Sequence, residues 1–195
     1  AGAVPVFVDS EPDTGLVDVG AIRHAVTPKT WGIIPVHLYG QMVDMGALME
    51  LAREKGLRVI EDAAQAHAAE CRGLRPGAQS DAATFSFFPG KNLGAYGDAG
   101  AIVTRDDALA SWMRRYRNHG RVDKYSHDFV GFNFRIDGIQ AAILQAKLPH
   151  LERWTERRRG IAVRYRAGLE ERGICSLVER PYNRHVYHQF VIRHP

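Results

Sequence analysis

The feature that most restricts the fold of this chain is an alternation between short apolar runs and segments with helical periodicity. Apolar runs predict strands at residues 5–9, 32–37, 57–62, 82–88 and 101–104. Helical spacing predicts helices at residues 19–26, 44–55 and 107–117. Strands that alternate with helices form mostly parallel sheets, because each helix returns the chain to the edge where the next strand begins. We therefore expect an α/β fold.

Local signals mark the boundaries of these helices. Asp44 can cap the helix that follows it and Gly56 can close it, while Asp106 favours the start of the next helix. A longer helical pattern covers residues 136–173. Pro149 should interrupt that pattern, because proline removes a backbone hydrogen bond inside a helix.

One lysine, Lys91, lies on a short turn directly after the apolar run 82–88. Pro89 and Gly90 end the predicted strand and turn the chain, so Lys91 is expected at a strand exit. Open α/β sheets bind ligands at such exits. An amine that is partly shielded from water there is a nucleophile, and it can form an imine with an aldehyde.

A carboxylate at the end of an earlier strand makes this lysine more informative. Asp62 ends the run 57–62 and is expected to face the same crevice as Lys91. A lysine and a fixed carboxylate are the minimum for pyridoxal 5'-phosphate (PLP) chemistry, since the carboxylate keeps the pyridine nitrogen protonated. Gln65 and His67 can bond polar groups of a cofactor, although a turn residue and a structural histidine are the alternative interpretations. The histidine and cysteine spacing indicates no metal site.

Several segments together resemble the signature of the DegT/StrS-type sugar aminotransferases, which are PLP-dependent enzymes of fold type I. The segments are residues 61–67, 85–94, 97–101, 117–120, 131–137 and 140–148. Their order and spacing match as well as their content, so the resemblance covers nearly the whole chain and is specific. Two departures are small: Ala68 stands where the family usually has glycine, and Gln-Ser-Asp at 79–81 replaces Leu-Gly-Asp.

This resemblance implies an aspartate-aminotransferase-like fold, with a three-layer α/β/α large domain and a mostly parallel sheet. Residues 1–150 would form the PLP-binding large domain without its N-terminal part. Residues 151–195 would form a connecting helix and the start of a small C-terminal domain. The run 186–193 has the pattern of a further strand, and the chain as a whole is expected to be an internal fragment.

The resemblance also implies roles for residues at the carboxyl ends of the strands. Lys91 would bind the cofactor and act as the catalytic proton carrier. Asp62 would pair with the pyridine nitrogen, Gln65 would lie against the ring near its phenolic oxygen, and Ser86 would bind the cofactor phosphate.

Three residues further along the chain have roles by the same resemblance. Asn133 would reach the cofactor phosphate of a neighbouring subunit, because in this family a homodimer shares its active sites. His119 and Arg135 fall in blocks near the substrate region, where a purely structural role is the alternative.

Composition excludes several other classes. The net charge is +4, and arginines are dense in residues 153–166, but glutamates and apolar residues interleave at helical spacing. That pattern favours a solvated helix face over nucleic-acid binding. The two cysteines, Cys71 and Cys175, form no pair in sequence, and no apolar run is long enough to cross a membrane. We therefore expect a cytoplasmic protein without nucleic-acid or membrane partners.

The expected function is transamination of a keto-sugar, nucleotide-linked, with glutamate or glutamine as the amino donor. Lysine at position 91 disfavours the related sugar dehydratases, which resemble this chain but carry histidine there. Two alternatives stay open at this point: amination of a keto-cyclitol, and a non-catalytic protein that keeps the fold.

Overall fold

The computed structural model describes residues 2–193 of the chain. Its α-helices are α1 (Val19–Ala25), α2 (Met45–Lys55), α3 (Asp107–Tyr116), α4 (Gly138–Lys147) and α5 (Leu151–Glu170). Its strands are β1 (Gly32–Ile33), β2 (Arg58–Asp62), β3 (Glu70–Cys71), β4 (Ala82–Ser86), β5 (Gly100–Val103), β6 (Cys175–Ser176), β7 (Asn183–Arg184) and β8 (Ile192–Arg193). Short 3-10 turns lie at Leu38–Gly40 and Leu148–His150.

The main sheet contains four strands in the order β1-β2-β4-β5. The pairs β1-β2 and β2-β4 are parallel, and β5 runs antiparallel to β4. Asp62 lies opposite Thr84 in the β2-β4 register. The α/β fold with a mostly parallel sheet is therefore confirmed, and the carboxyl ends of β2 and β4 lie side by side.

The predicted helix signals act as expected. The Asp44 carboxylate accepts hydrogen bonds from the backbone N–H groups of Gly46 and Ala47 at the start of α2. Gly56 ends that helix in the left-handed conformation, with φ of 65°, which glycine adopts without steric cost. Asp106 caps α3 by accepting one hydrogen bond, from the Leu109 N–H. The interruption at Pro149 is also confirmed, because a 3-10 turn separates α4 from α5 there.

Two strand predictions are wrong. Residues 5–9 form no strand, and Phe7 is 93% exposed, because no strand within residues 2–193 pairs with this segment. Only Ile192–Arg193 of the run 186–193 is a strand, paired antiparallel with β6. The preceding residues bend instead: Tyr187 has a φ of 44°, and the Val186 N–H donates to the carbonyl of Gly40.

The core lies between α2 and the sheet. Leu48 and Leu51 of α2 are fully buried, as is Val59 of β2, and they share one apolar cluster. A second, smaller cluster joins the segment after Lys91 to α4 and α5, through Leu93 and Leu144. None of the helices within residues 2–193 combines the length and the apolar character that crossing a membrane requires.

Candidate active site

The candidate site lies at the carboxyl ends of β2 and β4. Asp62 is the last residue of β2, and Ser86 is the last residue of β4. Because Asp62 is in register with Thr84, Ser86 lies two residues further along the same edge. Both side chains are half-buried. This edge is where open α/β sheets bind ligands.

The turn after β2 is held by side chains as well as backbone. One Asp62 carboxylate oxygen, Oδ1, accepts a hydrogen bond from the Ala64 N–H at 3.0 Å. The Gln65 side-chain oxygen accepts one from the Tyr39 N–H at 2.6 Å. Tyr39 itself has a φ of 61°, which is unfavourable for a residue with a side chain. The loop at Tyr39 therefore fixes the orientation of the Gln65 amide.

The turn that carries Lys91 is compact and anchored. The Lys91 N–H donates to the carbonyl of Phe88 at 2.9 Å. A Cβ atom at Gly94 would lie 2.5 Å from the carbonyl oxygen of Pro89, so only glycine permits this close approach. The buried Asn92 side chain donates from Nδ2 to the carbonyl of Val186 at 3.0 Å. The turn is thus tied to the C-terminal part of the chain.

His67 is a buried histidine next to this turn. It is 3% exposed and packs against the rings of Phe85 and Phe87, at centroid distances of 5.5 and 5.6 Å. Burial lowers its pKa to about 4, and the nearby charges of His188 and Lys91 act in the same direction. The Ser86 backbone favours the charged form, but neither ring nitrogen makes a hydrogen bond of good geometry within the described part of the chain. Buried polar groups are normally paired, so a ligand group would satisfy this imidazole.

The arrangement fits PLP in its chemistry. Lys91 offers an amine for the aldehyde and Asp62 a carboxylate for the ring nitrogen. Ser86 offers a hydroxyl for the phosphate, and the unpartnered nitrogens of His67 accommodate a polar ligand. The residues present therefore suit the cofactor that the sequence suggests.

Asn133, His119 and Arg135 lie elsewhere, on the excursion of residues 118–135 between α3 and α4. Asn133 pairs with Asn118 in an isolated bridge, and Arg135 donates from Nη1 to the Asn118 side-chain oxygen at 2.9 Å. The His119 N–H donates to the carbonyl of Phe132. The excursion holds these three residues near one another, and their hydrogen bonds join them to the excursion and not to β2 or β4.

Residues 186–188 form a segment next to the lysine turn, and no sequence pattern predicts this contact. His188 contacts the Asn92 side-chain oxygen through Nδ1 at 3.2 Å. Burial lowers the pKa of His188, and the positive charge of Lys91 adds to the effect. Because Asn92 belongs to the lysine turn, its buried amide was the signal that a distant segment must cover it.

A network of polar side chains binds residues 186–188 to α5. The Glu179 carboxylate accepts hydrogen bonds from Arg159 Nη1 at 2.7 Å and from the Tyr187 hydroxyl at 2.8 Å. Arg159 also donates to the carbonyl of His185 at 2.7 Å. Burial opposes ionisation of Glu179, but these donors together hold its pKa below the usual value. A charged, well-bonded carboxylate thus fixes the segment that covers the lysine turn.

The fold and these residues define a class. A mostly parallel α/β sheet with a carboxylate and a hydroxyl at the carboxyl ends of adjacent strands, and a lysine on the turn that follows, belongs to the class of open α/β proteins that bind a ligand at this edge, and it offers the groups that PLP chemistry requires.

Comparison with known proteins specifies the family. The sequence profile of the DegT/DnrJ/EryC1/StrS aminotransferase family matches residues 1–195, and the chain belongs to that family. A pleiotropic regulatory protein of Geobacillus stearothermophilus is 53% identical over 100% of this chain and 53% of its own length. The dTDP-3-amino-3,4,6-trideoxy-alpha-D-glucose transaminase of Streptomyces venezuelae is 48% identical, over 98% of this chain and 51% of its own.

A solved structure shows the same similarity in three dimensions. The crystal structure of S. venezuelae DesV in complex with a ketimine intermediate superimposes with a TM-score of 0.94 at 48% identity. The match covers 98% of this chain and 52% of that chain. The chain therefore spans about half the length of the relatives that it matches.

Proposed function

We propose that this chain belongs to a PLP-dependent aminotransferase that converts a nucleotide-linked keto-sugar to an amino sugar, with glutamate or glutamine as donor. The observation that carries the proposal is that Asp62 and Ser86 end adjacent parallel strands and that the compact turn carrying Lys91 follows directly after Ser86. The name of the S. venezuelae relative, a transaminase of a dTDP-linked sugar, supports the class of substrate.

Each residue at this edge has a distinct task in the proposed reaction. PLP, when bound, supplies an electron-accepting ring. Asp62 binds and orients the ring through its nitrogen, and Ser86 binds the phosphate. Lys91 Nζ would move a proton between the substrate carbon and the cofactor, as a positioned general base and acid does. Gln65, whose side-chain oxygen accepts a hydrogen bond from the Tyr39 N–H, would lie against the ring near its phenolic oxygen.

We further propose that the protein is a homodimer in which Asn133 binds the cofactor phosphate of the partner, with Arg135 and His119 near the substrate. Large exposed apolar side chains on and after the excursion support an interface there: Val130, Phe134 and Ile139 are among them. Contiguous exposed apolar surface is typical of protein interfaces. Two free thiols, at Cys71 and Cys175, support a reducing, cytoplasmic location.

An absorbance experiment tests the cofactor assignment. The complete gene product is mixed with PLP, reduced with borohydride, digested and mapped by mass spectrometry. We expect a visible band of lysine-bound cofactor and a reduced label on the peptide containing Lys91. Lys91→Arg, which keeps the charge but is a poor nucleophile, is the matched control and should remain unlabelled. A label on another lysine, or no band, would refute the assignment.

Two other functions remain testable. One relative is named as a pleiotropic regulatory protein, a name that states no transamination, so a non-catalytic protein that keeps the fold is one alternative. A keto-cyclitol is the second alternative substrate. Incubation with a panel of keto-sugars and keto-cyclitols, followed by mass spectrometry of the products, separates the three. A PLP-bound protein that aminates no member of the panel would favour the non-catalytic alternative.

A further inference from the structure

A second carboxylate lies directly behind the proposed cofactor partner. Glu61 precedes Asp62 in β2, and since successive side chains of a strand point to opposite faces, Glu61 faces the core. It is 1% exposed. Its carboxylate accepts hydrogen bonds from His37 Nε2 at 2.6 Å, from the Gly77 N–H at 2.8 Å and from the Ser80 hydroxyl. No part of the proposed reaction uses this buried network.

The hydrogen bonds define the state of both partners. The Val43 N–H donates to His37 Nδ1 at 3.2 Å, so this nitrogen carries a lone pair. The ring proton therefore lies on Nε2, which donates a hydrogen bond to Glu61. Burial opposes the charge on Glu61, but the bonds from His37, Ser80 and Gly77 keep its pKa below the usual value. The His37 ring thus donates from Nε2 to a carboxylate whose charged form the network favours.

The backbone of His37 bonds to the adjacent residue. Its N–H donates to the carbonyl of Asp62 at 3.0 Å, and the Asp62 N–H donates to the carbonyl of Pro35 at 2.9 Å. Val36 and Asp62 form a parallel bridge between these bonds. His37 therefore contacts Glu61 with its ring and Asp62 with its backbone. The ring bond prevents residues 35–37 from moving relative to the end of β2.

We propose that His37 and Glu61 are positioning residues that hold Asp62 in the orientation needed to bind the ring nitrogen of PLP. The inference rests on the proposed function, because it takes Asp62 as the partner of that nitrogen. A buried carboxylate is costly to keep, and its side-chain partners among residues 2–193 are His37 and Ser80. Groups that orient a binding residue affect binding strongly, since small displacements weaken it.

Two substitutions at one position test the proposal. In His37→Asn, the amide oxygen replaces Nδ1 as acceptor for Val43 but does not reach Glu61. In His37→Gln, the longer amide replaces Nε2 as donor to Glu61. We expect the Kd for PLP to rise at least about tenfold in His37→Asn and to stay within about twofold of the wild type in His37→Gln. The absorption maximum of bound PLP should shift only in His37→Asn.

Controls separate positioning from loss of stability. Leu48→Ala removes fully buried volume from α2 without touching the network, so it lowers the melting temperature while leaving the PLP Kd unchanged. If His37→Asn does not fold, Glu61→Gln replaces it, with the same expected effect on Kd and spectrum. If the substituted protein keeps the wild-type affinity and spectrum, the positioning role of His37 and Glu61 is refuted, while the proposed function stands. An equal loss of affinity in Leu48→Ala also refutes the positioning role, whereas failure of the wild type to bind PLP overturns the proposed function as well.

Discussion

Two buried histidines should make the stability of this protein depend on pH above the range where carboxylates titrate. His67 and His185 are 3% and 6% exposed. Burial is the main cause that lowers the pKa of each from 6.5 to about 4. His185 also accepts a hydrogen bond at Nδ1 from the Tyr187 N–H at 2.9 Å, so protonation at that nitrogen removes the bond. Both rings are therefore neutral in the folded protein.

The sign and size of the effect follow from proton linkage. Because the folded-state pKa lies below the unfolded value, unfolding takes up protons as the pH falls. Stability is full above about pH 6.5 and declines towards pH 4. At pH 5 His67 and His185 each cost about 2 kcal/mol, so the pair costs about 4 kcal/mol. His188, whose pKa burial also lowers, adds to this loss. Glu61 and Glu179 have lowered pKa values, and they add to the loss only below about pH 4.5.

Urea unfolding at pH 7 and pH 5, followed by tryptophan fluorescence, measures the effect. His185→Asn keeps an acceptor oxygen near the position of Nδ1 but does not titrate in this range. We expect the wild type to lose at least about 4 kcal/mol of unfolding free energy between the two pH values, and His185→Asn to lose about 2 kcal/mol less than the wild type. Equal losses in the two proteins would show that His185 is not held neutral by the fold.

Three further substitutions should change cofactor binding, activity or stability by measurable amounts. Lys91→Ala should abolish the visible cofactor band and reduce transamination by roughly a thousandfold or more, as measured by spectrum and product formation. Gly94→Ala should lower PLP affinity, because its Cβ would meet the Pro89 carbonyl at 2.5 Å. Gly90→Ala, whose nearest contact would be 3.9 Å, is the matched control and should bind normally. Ala68→Gly should raise the unfolding free energy by up to about 1 kcal/mol in urea titrations, since Ala68 has a φ of 65°.

The parts of the fold that local sequence determines were predictable. Capping by Asp44 and termination by Gly56 depend on residues within one turn of the helix end. The strands β2 and β4 are paired within the sheet, so their apolar runs are a reliable signal. Residues 5–9 have an equally apolar run, but a strand needs a partner, and the run alone does not supply one. The strand prediction for residues 186–193 is wrong over most of its length, because the Val186 backbone bonds to Asn92 of the lysine turn and to Gly40 and not to a neighbouring strand.

The candidate site also has parts that the sequence pattern predicts and parts that depend on tertiary packing. Asp62 and Ser86 end two adjacent parallel strands, so a parallel sheet was sufficient to predict that they share an edge, whereas the place of Lys91 in the site stays a prediction. The bond between His37 and Glu61 joins residues 24 positions apart and depends on how the loop after β1 packs on β2. Sequence pattern contains no information on that packing. The left-handed conformation of Ala68 agrees with the glycine that the family usually has there.

The bond between Asn92 and Val186 also sets an order of events during synthesis of the chain. It joins residues 94 positions apart. A ribosome adds about 5–20 residues per second, so roughly 5–20 s separate translation of the lysine turn from translation of the residue that anchors it. During that interval the turn has its internal bonds but not its cover. The nascent chain therefore completes its lysine site late, after the helix α5 and the segment that follows it have left the ribosome.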